Sequence, residues 1–227
     1  MYHIRPYKLF NLIQGPPPER IIHTAIPSRR GAGGVSLLEM FLMVAASRIV
    51  EAKRLFEFGT FLGSTTLNLV LNVPDDSQLF TLDLGEHDAG EAKQDTADAP
   101  LTEIHLAAKS LDFQGSPVAN KIKTLTGNSI TFDFSPWHGS VDFVFIDGGH
   151  DFATVKSDSE NALQMACKEK ASCVLWHDYR NPEYSGLSHY LDGLSQQVQL
   201  VHVEDTILCA WFNDPCNRIW PGLLRTD

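Results

Sequence analysis

Residues 55–71 read Leu-Phe-Glu-Phe-Gly-Thr-Phe-Leu-Gly-Ser-Thr-Thr-Leu-Asn-Leu-Val-Leu. Leu55–Gly59 is a short apolar run that stops at a glycine, and Gly63–Leu71 has helical spacing, so the stretch is a strand, a turn and a helix. The same step repeats outward from it. Strands are expected at Gln78–Asp83, Lys121–Thr126, Val141–Asp147 and Ser172–Trp176. Helices are expected at Leu101–Phe113, Asp151–Cys167 and near Gly186–Ser195, with residues 85–98 an exposed acidic loop. Val141–Asp147 is almost wholly apolar, as a central parallel strand covered on both faces must be. Upstream, Leu37, Phe41, Val44 and Ala45 place a helix over Ser36–Glu51. Downstream, Val198–Val203 and Ile207–Phe212 are separated only by Glu204-Asp205-Thr206. So short a link forces an antiparallel hairpin, because a parallel crossover needs about a dozen residues or more. The alternation predicts a doubly wound α/β fold closed by that hairpin.

The bulk properties agree. A chain of 227 residues with 43% hydrophobic and 20% charged residues can bury a full core and makes one domain. Residues 1–35 read as an N-terminal arm, with the Gly-rich Arg29–Gly34 segment placed to act as a lid, and 36–227 as the single domain. No stretch approaches the roughly 20 apolar residues of a membrane span, and the N-terminus lacks a signal-peptide pattern. The balance of 18 Lys+Arg against 28 Asp+Glu leaves a net charge of −10, which repels phosphate backbones and argues against nucleic acid as a partner. Cys167, Cys173, Cys209 and Cys216 form no C-x-x-C pair, so free thiols and a reducing cytoplasm are expected.

Ligands of doubly wound sheets sit beyond the carboxyl ends of the strands. The turn Gly59–Gly63 resembles a phosphate cradle but carries Phe61 where a second glycine would be needed, and no G-K-[ST] occurs. It suits a nucleoside without a pyrophosphate, or is a plain β–α turn. Asp83 closes the second strand about 20 residues later, where a carboxylate can accept both ribose hydroxyls. Gly127-Asn128-Ser129 can edge an adenine ring, although turn chemistry explains it almost as well. Asp147-Gly148-Gly149-His150 brings a carboxylate and an imidazole around two glycines, and His150 can serve as a base near neutral pH. Asp178 ends the fifth strand. If it lies beside Asp147, the two carboxylates can hold a hard divalent cation such as Mg2+.

Taken together, E-x-G-x-x-x-G at Glu57–Gly63, the Asp83 acid, F-I-D-G-G-H at Phe145–His150 and H-D-Y at His177–Tyr179 resemble the class I S-adenosylmethionine-dependent methyltransferases. The nearest resemblance is to small-molecule O-methyltransferases of the catechol type and to compact relatives with D-G-x-H after strand four. It covers about residues 36–213 and implies a Rossmann-like, mostly parallel seven-stranded sheet with a C-terminal antiparallel hairpin. It further implies that Glu57, Gly59, Thr60 and Gly63 line the methionine and ribose portions of S-adenosylmethionine. Thr65 would bind the cofactor carboxylate, Asp83 the ribose and Ser129 the adenine edge. Asp147 would be shared between cofactor and metal surroundings, with Asp178 as the second metal carboxylate. His150 stands where catechol-type enzymes place a lysine base, and Tyr179 replaces the asparagine that completes their metal site.

The implied reaction is methylation of a hydroxyl on a small molecule, with His150 and Asp147 catalytic. Acceptor contacts are expected from residues 1–35, 85–98 and 179–186, and a homodimer is compatible. Two other readings stand beside it. One is a nicotinamide-dependent oxidoreductase on a similar sheet, disfavoured by Phe61 and the hairpin. The other is a non-catalytic protein of the same fold.

Overall fold

The structure, a computed structural model, describes residues 1–13, 15–16, 20–26, 33–91 and 97–225. Its strands are β1 (Tyr2–Ile4), β2 (Arg54–Phe58), β3 (Gln78–Asp83), β4 (Ile122–Thr126), β5 (Phe143–Ile146), β6 (Ser172–Trp176), β7 (Val201–Val203) and β8 (Cys209–Asn213). Its helices are α1 (Pro6–Leu12), α2 (Leu37–Ile49), α3 (Ser64–Val70), α4 (Glu86–Glu91), α5 (Ala99–Leu106), α6 (Phe152–Met165), α7 (Ser185–Leu194) and α8 (Trp220–Leu224). The strands form one sheet in the order β1-β7-β8-β6-β5-β2-β3-β4. Only β8 runs antiparallel to its neighbours. The strand order reverses at β2, which pairs with β3 on one side and β5 on the other. The crevice at that reversal is where such a sheet takes a ligand.

Side-chain alternation divides the core between the two faces. Along β5, Phe143 and Phe145 join the cluster built with α2, while Val144 and Ile146 join the one built with α6 and α7. All four are buried, which accounts for the unbroken apolar run. Helix α2 begins with a capping box. Ser36 Oγ accepts from Glu39 N, and Glu39 Oε2 accepts from Ser36 N at 2.9 Å. At the other end of the sheet, Asp142 Oδ2 accepts from Lys53 N and Arg54 N at 2.9 and 3.0 Å, fixing the start of β2 against β5.

The sheet has eight strands rather than the expected seven, because Tyr2–Ile4 pairs in parallel with Val201–Val203. A three-residue strand carries no periodic signal, and only its backbone partners reveal it. The arm continues into the core through Leu9, which is buried beside α2. Residues 29–32 of the expected lid lie outside the described residues. The expected loop at 85–98 contains α4, and the helix after it ends at Leu106 rather than Phe113. Among the described residues, no helix is long and apolar enough to cross a membrane. The four cysteines are free, and Cys216 alone is exposed.

Candidate active site

The first wall of the crevice is the turn between β2 and α3. Gly59, Phe61 and Gly63 adopt positive φ angles of 88°, 47° and 79°. A Cβ on Gly59 would stand 2.1 Å from the Asp147 carbonyl oxygen, so no other residue fits there. Phe61 is held in its unfavourable conformation from both sides. Its N–H donates to Asp83 Oδ2 at 2.7 Å, and its carbonyl lies 2.7 Å from His105 Nδ1. Asp83 Oδ2 also accepts from Thr60 N at 2.9 Å, and Oδ1 accepts from Leu84 N at 2.8 Å. Asp83 therefore caps the turn while still bordering the crevice.

Glu57 is placed differently from the expectation. It points beneath the turn, fully buried, where its Oε2 accepts the hydroxyls of Thr66 and Thr81. Burial pushes its carboxyl up to about 8, against the pull of those two hydroxyls. Glu57 lies one position before the strand ends at Phe58, so it braces the turn and does not line the crevice.

The crevice is a cavity of about 1340 Å3. Gly59, Thr60, Gly63, Thr65, Asp83, Ser129, Asp147, His150 and Asp178 all line it, which leaves Glu57 as the one expected site residue outside. Thr24, Ala25 and Gly33–Val35 from the arm border it, as do Ala97, Asp98, Asn181, Glu183 and Tyr184. Ile130 adds an exposed apolar surface next to Ser129.

The opposite wall is a cluster of carboxylates and imidazoles. Asp147 follows β5 and Asp178 follows β6, adjacent strands in register, so the two strand ends converge. His150 lies between two acids, with Nδ1 2.7 Å from Asp98 Oδ1 and Nε2 3.0 Å from Asp178 Oδ2. Its backbone N–H donates to Asp98 Oδ2 at 2.9 Å, and its ring stacks on Tyr184 at 3.8 Å. Burial disfavours the charged ring, but the two carboxylates outweigh it and push its pKa up to about 10. His177 Nδ1 stands 3.2 Å from Asp147 Oδ1 and 2.9 Å from Asp178 Oδ2, and its Nε2 faces Glu39 Oε2 at 3.6 Å. There too burial is outweighed, chiefly by Asp147, and the pKa rises to about 12. Glu39 falls to about 2 despite its burial, pulled down by His177 and by the N–H groups of Ile207 and Ser36. Asp178 is held below the usual carboxylate range, its burial outweighed by His150, His177 and Asn181.

This geometry corrects the expectation for His150. A carboxylate can only accept a hydrogen bond, so a ring with both nitrogens on carboxylates carries both protons and has no lone pair for a substrate proton. It also bears on the expected cation. Asp147, His150 and Asp178 do bring ligand atoms within 4.8 Å of one another. Yet His150 Nε2 and His177 Nδ1 both donate to Asp178 Oδ2, Nδ1 also stands 3.2 Å from Asp147 Oδ1 as an ion pair, and Asp178 Oδ1 takes Asn181 Nδ2 at 2.6 Å. Tyr179 turns away, buried, with its hydroxyl on Asp192 at 2.7 Å. The residues present therefore do not fit a divalent cation.

Several site residues were not foreseen. Asp98 lay in a segment read as exposed, and Glu39 sits on α2, whose amphipathic pattern points only to packing. Asp158 on α6 borders the cavity beside Ser129. Burial pushes its carboxyl up to about 7, against a weaker pull from the nearby Ser129 hydroxyl.

The chain matches the family described as a methyltransferase domain over residues 56–179, more than half of its length, and belongs to that family. A caffeoyl-CoA O-methyltransferase of Pinus taeda is 28% identical over 106 residues, covering 46% of this chain and 36% of that protein. The chain thus spans about a third of the length of the curated relative it matches. A Podospora anserina methyltransferase with bound S-adenosylhomocysteine superposes with a TM-score of 0.56 at 15% identity, covering 92% of this chain and 88% of that one. The O-methyltransferase TomG of Streptomyces achromogenes gives 0.51 at 18%, covering 78% and 81%. At such identities the likeness is one of fold: a Rossmann-like sheet, mostly parallel, with an antiparallel strand near its C-terminal end.

Proposed function

We propose that this chain transfers the methyl group of S-adenosylmethionine to a hydroxyl of a small molecule. The observation that carries the reading is one cavity at the β2 reversal point, bordered by a left-handed glycine turn, by Asp83 and by Ser129. Asp83 offers carboxylate oxygens to ribose hydroxyls, and Leu82, Leu84 and Ile130 offer apolar surface to a purine. Thr65 supplies a hydroxyl at the start of α3. Membership of the methyltransferase-domain family supports the same reading, as do relatives solved with S-adenosylmethionine or S-adenosylhomocysteine.

When bound, S-adenosylmethionine supplies a methyl group already activated on a sulfonium. The protein's task is then to hold the acceptor in line and keep it there. Residues 24–25, 33–35, Asn181, Glu183 and Tyr184 border the space left for the acceptor. The acceptor hydroxyl must lose a proton as its bond to the methyl carbon forms. Asp147 is the candidate to take it, because it borders the cavity with its side chain 18% exposed. His150 and His177 hold the surrounding carboxylates in place.

Calorimetric titration with S-adenosylhomocysteine tests the reading. Micromolar binding, lost with Gly59→Val, supports it, and absence of binding sinks it. Asp147→Asn should then lower turnover of an accepted hydroxyl compound far more than it weakens cofactor binding.

A further inference from the structure

Between Asp147 and Asp178 lies the position that the catechol-type resemblance reserves for a divalent cation. An imidazole edge fills it. His177 Nδ1 is 3.2 Å from Asp147 Oδ1 and 2.9 Å from Asp178 Oδ2. Neither carboxylate has a proton to give, so the proton between them belongs to Nδ1, and that nitrogen has no lone pair for a metal. The ring is fixed from behind. It is only 6% exposed, packs edge-on to Phe145 and turns Nε2 towards Glu39. Asp178 is saturated further by Asn181 and by His150, and the far side of His150 is closed by Asp98. Each nitrogen of both rings therefore faces a carboxylate.

We propose that His177 is a built-in cation, which neutralises and orients the Asp147–Asp178 pair so that this methyltransferase site operates without a divalent metal. The inference rests on the methyltransferase reading and names the group that organises that site. A metal must be loaded from solution and keeps waters or ligands that exchange. A ring delivered by the end of β6 arrives with the fold and leaves no open coordination position. His177 is a positioning residue, because it acts through Asp147 and Asp178.

The test is a titration of the purified chain with Mn2+ at neutral pH, with free Mn2+ read by electron paramagnetic resonance. The unaltered protein is expected to show no stoichiometric site. His177→Asp removes the donor and places a third carboxylate beside the pair, a donor set suited to a hard cation. That variant is expected to bind one Mn2+ at least about tenfold more tightly than the unaltered protein, and addition of Asp147→Asn should abolish the gain. Stoichiometric Mn2+ binding by the unaltered protein overturns the proposal. So does a folded His177→Asp variant that binds Mn2+ no better than its parent. If that variant does not fold, the unaltered protein decides alone. Its affinity for S-adenosylhomocysteine should be the same in EDTA and in excess Mg2+, and a gain of about tenfold or more with Mg2+ overturns the proposal. Failure to bind S-adenosylhomocysteine under either condition counts instead against the methyltransferase reading, because the Mn2+ result does not depend on it.

Discussion

One wall of the cavity, Gly59–Thr65, is built from backbone, and the other, around Asp147 and Asp178, from buried charge. The turn depends on three consecutive odd-numbered residues with positive φ and on amides capped by Asp83. Apart from His105 at the Phe61 carbonyl, its parts lie within 25 positions of one another along the chain, from Gly59 to Asp83. The charged wall collects Glu39, Asp98, Asp147–His150 and His177–Asp178 from four separate stretches spread over 140 positions of the sequence. The comparison teaches that a backbone site fails by steric clash at single positions. A charged site fails through the partners left behind when one member is removed.

The largest effect should come from Gly59→Val on the backbone wall. Its side chain would meet the Asp147 carbonyl, where a Cβ alone already stands 2.1 Å away, in a conformation that L side chains rarely adopt. A loss of about 3–5 kcal/mol in urea unfolding is expected, together with loss of S-adenosylhomocysteine binding. Unchanged stability would show that this wall yields. On the charged wall, His177→Ala strips the cation from Glu39, Asp147 and Asp178 and should cost a similar or slightly smaller amount, about 3–4 kcal/mol. A cost under about 1 kcal/mol would show that the carboxylates relax into solvent.

The pH dependence tests the charged wall most directly, although the buried Glu57 beneath the turn, raised from 4.5 to about 8, also lowers stability as pH rises through that range. His150 has its pKa raised from 6.5 to about 10, so its contribution is complete below 6.5 and lost as pH rises to about 10. His177 extends that loss towards about 12. Glu39 is lowered from 4.5 to about 2, so its contribution is present above 4.5 and lost as pH falls to about 2. Unfolding free energy should therefore decline on both sides of mildly acidic pH. The alkaline decline should be shallower in His150→Gln by on the order of 2 kcal/mol, as read from denaturant titrations at stepped pH. An identical slope would remove His150 from the account.

Smaller effects return to the turn. Asp83→Asn keeps one acceptor oxygen for the Thr60 and Phe61 amides but loses the charge, which should cost about 1–2 kcal/mol of stability and weaken S-adenosylhomocysteine binding roughly tenfold. Thr65→Val should leave stability unaltered and weaken that binding by only about 0.5–1.5 kcal/mol.

Most of the fold was legible along the chain. Strand–turn–helix alternation, the apolar β5 and the three-residue link before β8 each reflect a local rule of spacing, burial or reach. The turn was legible for the same reason, since glycines at fixed offsets report backbone conformation directly. Asp83, Asp147 and Asp178 were legible because strand ends are known once strands are. Tertiary structure alone decided what those groups do. It showed that Glu57 faces inward, that Tyr2–Ile4 adds an eighth strand, and that Asp98 and Glu39 reach the site from a loop and a helix. It also turned His150 from an expected base into a ring held between two acids. A side chain's proton affinity depends on the charges within a few ångströms, and those neighbours are brought together only when distant segments pack.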